Sequence, residues 1–456
     1  MSTTHPSPST TDSATGTPGT APSTRPSTAL VVVSLAVGAA AAGALTLGVF
    51  PGAREGVTTG LALLGFALGW AVLYTLAGRT GRPQRWAVVP ATAMAAAGCA
   101  LIASSPSDHT LGVLTWVWPP LALALAGWTF VQSRRHLTGA GRWLVAATLL
   151  VLTAAAVGAG ARQVTVDPFA EANPASGMTV SVRGHDLHID CRGQGSPTVV
   201  LFNGLGEFSA SWARIVDGTT PTTRVCAYDR AGQGWSDDVD QPQDAVTAAE
   251  DLHAVLDAAG ENGPFVLAGH SIGGPYALTY AHQYPDETAG LVLIDSTSPH
   301  QFTAIPSYPG TYAMLRRIYG VMPSLARLGL GSLLAGSHLP GGAAGAVDDM
   351  NASPRGGRNA RDEVSMLPEV FAQAQALTTF GSRPLVVLTS ADTAHDTGGW
   401  THAQDQLAAL SSNVVHRVVD ASHQGMVEDP AGASASIEAI TSVVQAVRSH
   451  TPLARP

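Results

Sequence analysis

The sequence predicts two units of different class: a helical membrane region, then an α/β domain whose mostly parallel, eight-stranded sheet is flanked by helices. Three observations predict this. The first third holds long apolar stretches without a charge, the remainder alternates short apolar runs with helical segments, and a Gly-x-Ser-x-Gly turn sits between such a run and a helix. At 456 residues the chain exceeds the usual single-domain size, so more than one unit is expected.

Residues 1–28 are almost entirely Ser, Thr, Pro, Gly and Ala, too poor in large apolar groups to fold, and are expected to be a disordered tail. They are also too long and polar to open a secretory signal, so the apolar segment after them is expected to remain as an anchor. Residues 29–162 form the expected membrane domain. Its spans are residues 29–50, 57–78, 86–104, 111–131 and 143–161, each close to the roughly 20 apolar residues that cross a bilayer as a helix. None carries a charge, and a charge at a span centre costs about 2.5 to 3.5 kcal/mol on the insertion scale. Pro119 and Pro120 are expected to kink the fourth.

Arg79, Arg82 and Arg85 lie between spans two and three, and Arg134, Arg135 and Arg142 between spans four and five. Positive loops stay in the cytoplasm, so the amino terminus is expected inside the cytoplasmic membrane, and the fifth span exits outside. The domain at residues 175–456 is then extracytoplasmic.

The net charge of −9 leaves no basic stripe for phosphates, so nucleic acid is not an expected partner. All 24 basic residues are arginine, which excludes Schiff-base lysine chemistry and a lysine-bearing phosphate loop.

Strands are expected at residues 178–183 and 187–192, as a hairpin, and at 198–202, 224–228, 265–268, 291–294, 385–388 and 414–419. Residues 244–259 and 436–447 read as intervening helices. Apolar strands alternating with helices indicate a parallel sheet covered on both faces. Gly269-His270-Ser271-Ile272-Gly273 falls between the 265–268 strand and a helical pattern at 275–284. In so tight a turn the serine's neighbours two positions away must lack bulk, and Gly269 and Gly273 satisfy that demand.

With Asn203-Gly204-Leu205-Gly206, the stretch from Tyr228 to Ser236, residues 291–295 and Asp420-Ala421-Ser422-His423, the chain from about Met178 resembles the α/β-hydrolase family. The resemblance implies Ser271 as nucleophile and His423 as general base, in the family's order of serine, acid, histidine. It implies Asp392, just beyond the 385–388 strand, as the acid. Asp396 is a nearby alternative, and Asp295 occupies a position that some members use instead, although its plain reading is a loop cap. The amides of Ile272 and Leu205 are the implied oxyanion donors. Asn203 and Gln233 stand where the family commonly has histidines.

Cys191 and Cys226 fall on strands that the family's sheet order sets side by side, so a disulfide between them is expected outside the cytoplasm. Residues 298–381 interrupt the strand alternation and look like the family's helical cap. The function so implied is cleavage of a carboxylic ester or related acyl compound, possessing no metal or organic cofactor, with a small and partly hydrophobic substrate and the lipid bilayer as partners. Peptidase, thioesterase, acyltransferase and perhydrolase chemistries stay open within the family. A different class of function, transport or sensing by the spans beside a non-catalytic ligand-binding domain, would be favoured by intramembrane charges, which the spans lack.

Overall fold

The structure is a computed structural model that describes residues 1–3, 28–165, 169–239, 241–333 and 336–454. The expected tail falls almost wholly at residues 4–27, outside the described residues. Among the described residues, five helices are long and apolar enough to cross a membrane: Thr28–Val49, Glu55–Ala77, Arg85–Ser104, Asp108–His136 and Ala140–Ala161. The fourth runs through Pro119 and Pro120 as one helix of 29 residues. Small residues let the first three pack closely. A Cβ on Gly60 would come within 2.7 Å of the Gly98 carbonyl, and one on Gly69 within 2.7 Å of the Ser34 carbonyl.

Beyond them lies one eight-stranded sheet in the order β1-β2-β4-β3-β5-β6-β7-β8. Its strands are β1 (Met178–Val182), β2 (His185–Arg192), β3 (Val199–Phe202), β4 (Val225–Tyr228), β5 (Phe265–His270), β6 (Thr288–Ile294), β7 (Leu385–Ser390) and β8 (Val414–Val419). The β1/β2 and β2/β4 pairs are antiparallel and the others parallel. From β3 to β7 the strands are short, largely apolar runs buried almost throughout, which suits a sheet lying between helical layers.

Alternation along one strand divides the core. Val200 and Phe202 join the layer with Leu252, Tyr276 and Tyr280, whereas Val199 and Leu201 join Ile440, Val443 and Val444 on the opposite face. The covering helices carry their own start signals. Asp244 accepts from the Thr247 amide at 2.7 Å ahead of Ala245–Ala258, and Pro430 opens Pro430–Ser449. Cys191 faces Cys226 in the β2/β4 register, and the two are joined by a disulfide.

Between β6 and β7 come the helices Gln301–Ala304, Tyr308–Arg327, Gly342–Asn351 and Pro354–Ala374. This insert reaches two ways. Glu363 of Pro354–Ala374 bonds down into the loop after β3, and Arg327 and Arg358 pair with Glu55 and Asp108, the first residues of the second and fourth long apolar helices.

Candidate functional site

Ser271 sits at the sharp turn between β5 and the Gly273–Gln283 helix, with its backbone at φ 54°. A serine in the left-handed region is strained, and the surroundings hold it there. Its amide donates to the Ile294 carbonyl at 3.2 Å, and its carbonyl accepts from the amides of Gly274 at 3.2 Å and Thr297 at 2.9 Å. The two flanking glycines are required sterically. A Cβ on Gly269 would lie 2.7 Å from the Gly273 carbonyl, and one on Gly273 would collide with the Phe202 carbonyl.

His423 follows β8 and meets a carboxylate through Nδ1, 2.6 Å from Asp295 Oδ2. The expectation of Asp392 is therefore corrected: the structure seats Asp295 against His423. Asp295 lies directly after β6, at φ 39°, and is fully buried. Its Oδ2 also accepts from the Thr393 hydroxyl at 2.8 Å, while Oδ1 accepts from the Ser390 amide at 3.0 Å and Trp400 Nε1 at 2.8 Å. Burial alone would raise this carboxyl, but the bond and charge of His423, with the Ser390 and Thr393 donors, hold it below its ordinary value. Ser390 caps the short helix Ala391–Asp396, and this turns Asp392, in its first turn, out to solvent. Asp396 is also exposed, paired at 2.9 Å with the exposed His395.

Since Nδ1 is engaged by Asp295, Nε2 is the ring nitrogen left to serve a hydroxyl. His423 packs against the residue before the serine: its ring lies 4.6 Å from that of His270, and His270 Nε2 bonds the His423 carbonyl at 3.0 Å. His270, to which the sequence assigned no role, is thus part of the site. Its Nδ1 lies 2.7 Å from Glu207 Oε1, and Glu207 Oε2 accepts from the Gly204 amide at 2.6 Å. Burial would neutralise both groups; instead each holds the other charged, with His270 raised and Glu207 lowered from its ordinary value. The sequence signal available for this pair was only Glu207, two residues beyond Leu205 in an otherwise uncharged turn.

Ile272 is buried at the turn and Leu205 is half-buried on the loop after β3. Among the described residues neither amide donates to a backbone or side-chain acceptor, so both donors stay available to an oxyanion. The loop that carries Leu205 is held by the two residues that depart from the family pattern. Asn203 Nδ2 donates to Gln233 Oε1 at 2.8 Å and to the Tyr228 carbonyl at 2.7 Å, and Trp212 Nε1 donates to Asn203 Oδ1 at 2.8 Å. Gln233 Nε2 in turn reaches Glu363 Oε1 at 2.8 Å, alongside Arg230 at 2.5 Å, and Glu363 Oε2 accepts from the Gly206 amide at 3.0 Å. Sequence reasoning missed Glu363, because its partners lie more than 120 residues away.

The profile of the alpha/beta hydrolase fold family matches residues 197–338. Lipase LipV of Mycobacterium tuberculosis is 36% identical over 114 residues, 24% of this chain and 41% of its own. Probable transporter efuK of Hormonema carpetanum is 30% identical over 119 residues, 25% of this chain and 17% of its own. The chain spans less than half the length of the curated relatives it matches, from 15% to 41%. Among solved structures, a thermophilic esterase from Thermogutta terrifontis is 22% identical, with a TM-score of 0.44, over 60% of this chain and 99% of its own. By its sheet order, its elbow serine and the profile match over residues 197–338, the chain carries the α/β-hydrolase fold, with five helices among the described residues ahead of that fold apolar enough to cross a membrane.

Proposed function

We propose that the protein is a membrane-anchored serine hydrolase that cleaves a carboxylic ester or related acyl compound outside the cytoplasmic membrane. Ser271 Oγ attacks the carbonyl as His423 Nε2 takes its proton, and Asp295 fixes the Nδ1–H tautomer and stabilises the imidazolium. The oxyanion rests on the Leu205 and Ile272 amides. Collapse of the tetrahedral adduct expels the alcohol, protonated by His423, and leaves an acyl-serine that water cleaves by the same steps in reverse roles. The observation that carries this reading is the Asp295 to His423 bond, with Asp295 held by three further donors beside an elbow serine. The lipase relative supports hydrolysis as the reaction class.

The side of the membrane is inferred from the arginine loops and the odd number of spans. The Cys191 to Cys226 disulfide agrees with it, because thiols stay reduced in the cytoplasm. The transporter relative favours a second reading, a transport or sensing protein with a non-catalytic domain. A fluorophosphonate probe on the folded protein separates the two. Labelling that vanishes in Ser271→Ala is expected, and an unlabelled wild-type protein would sink the enzyme reading.

A further inference from the structure

The cap helix Tyr308–Arg327 is anchored along the edge where the spans end. Arg317 Nε donates at 3.0 Å to the carbonyl of Leu47, two residues inside the end of the first span. Arg316 donates to the Pro51 carbonyl at 3.2 Å, and the Ser324 and Thr59 hydroxyls meet at 2.9 Å. Arg327 pairs with Glu55 and Asp108. Charged residues at span ends mark where hydrocarbon gives way to headgroups, so both halves of this helix are fixed at that level.

At about 100° per residue, Arg316, Gly320, Ser324 and Arg327 share the face that meets the spans. Tyr312, Leu315 and Tyr319 share a second face, packed on the hydrolase core. The remaining face carries Met314, Ile318, Val321 and Leu325, spaced i, i+4, i+7 and i+11. Met314 is 50% exposed and Ile318 46%, and just past the helix Leu330 is 41% exposed. Leu47, Val49 and Phe50, at the end of the first span, are likewise exposed. An apolar helical face of this kind, held at the bilayer boundary with arginines beside it, is the pattern of an interfacial helix.

We propose that this face of the cap lies in the lipid leaflet, and that the enzyme takes its substrate, an amphiphilic acyl ester, from that leaflet rather than from water. The substrate half rests on the serine-hydrolase reading; the docking half rests on the spans alone. The occupant is lipid because the surface continues that of the first span, which lipid must already cover. This gives the five spans a purpose beyond anchoring: they fix the height and tilt of the cap.

The full chain carrying Cys99→Ser and Met314→Cys, labelled with bimane and reconstituted in phosphatidylcholine vesicles, tests the docking. Brominated acyl chains are expected to quench the label by about twofold or more, as they should a label on the native Cys99. A reference label at Val418→Cys, on the exposed outer strand β8, is expected to stay bright. Equal brightness at 314 and 418 would overturn the proposal, as would a signal at 314 that responds to protein density instead of bromine, which means a second copy covers the face. For the substrate, Met314→Ser, Ile318→Ser and Leu330→Ser combined should slow cleavage of p-nitrophenyl palmitate dissolved in vesicles by about tenfold while leaving aqueous p-nitrophenyl acetate within about twofold. Equal losses on both esters, or none, overturn it. Should wild-type protein cleave neither ester and take no fluorophosphonate, the serine-hydrolase reading fails, and the quenching result stands on its own.

Discussion

Replacing Asp295 by Asn removes one negative charge with almost no change of shape, and the hydrogen bonds around the side chain dictate the consequence for His423. Four donors converge on the carboxylate, two on each oxygen. The pair on Oδ1, the Ser390 amide and the Trp400 indole, can only donate, so the asparagine oxygen must face them. Its NH2 is then turned to Thr393, whose hydroxyl can accept, and to His423 Nδ1, which must accept as well. The imidazole proton is thereby driven to Nε2, and His423 can no longer take a proton from Ser271. Loss of the correct tautomer in a serine triad costs about 10⁴ in kcat, about 5.4 kcal/mol of transition-state stabilisation. Hydrolysis of p-nitrophenyl acetate by the reconstituted protein reads this directly, with KM near the wild-type value because no substrate contact is lost. Asp392→Asn and Asp396→Asn, both at exposed carboxylates, should leave turnover within about twofold. If Asp295→Asn keeps activity within about tenfold of wild type, or Asp392→Asn loses as much as Asp295→Asn, the geometric assignment fails.

Three further outcomes are expected. His270, raised from 6.5, stabilises the fold fully below that value and loses its contribution as pH rises through the raised one; Glu207, lowered from 4.5, contributes above that value and loses it as pH falls. The melting temperature should therefore decline on the alkaline side of the ordinary histidine range in wild type and decline less in Glu207→Gln, and parallel profiles would refute the pairing. Glu363→Ala strands the buried Arg230 and should cost about 3 to 5 kcal/mol of stability, measured by denaturant unfolding in detergent. Removing the Cys191 to Cys226 link, which closes a separation of 35 residues, by Cys191→Ala with Cys226→Ala should cost about 2 to 4 kcal/mol by the same measurement, and no change in midpoint would count against the bridge.

What could be read in the sequence was what is local. The long helices are legible because a stretch able to cross a membrane is apolar along its own length, and the strands of the parallel sheet because burial on both faces leaves an apolar run. Ser271 was legible because its turn constrains two neighbours at fixed offsets, and His423 because it comes after the last strand. Helix ends in the cap were not legible, since the outer turns of Tyr308–Arg327 are fixed by contacts with the apolar helices rather than by their own periodicity.

The carboxylate that meets His423 is not the expected one for a related reason: Asp295 and Asp392 both come after a strand of the same sheet, and nothing within a few residues of either says which can reach His423. The choice is made by residues far apart in the chain. Trp400 and Thr393 both aim donors at Asp295, while Ser390 both donates to Asp295 and caps the helix that carries Asp392 away. One serine thus bears twice on which carboxylate meets His423, by donating to one and by capping the helix that turns the other outward. The same logic explains Asn203 and Gln233, which look like two independent departures in sequence but form one hydrogen bond in space. Both are tied in turn to Glu363, whose carboxylate Gln233 and Arg230 share. Through Glu363 the loop bearing Leu205 is tied to the helix Pro354–Ala374, and through Arg358 that helix is tied to Asp108 at the head of a span. The loop bearing Leu205 and the head of that apolar helix are therefore held by one cap helix, and a shift of Pro354–Ala374 is expected to carry the loop with it.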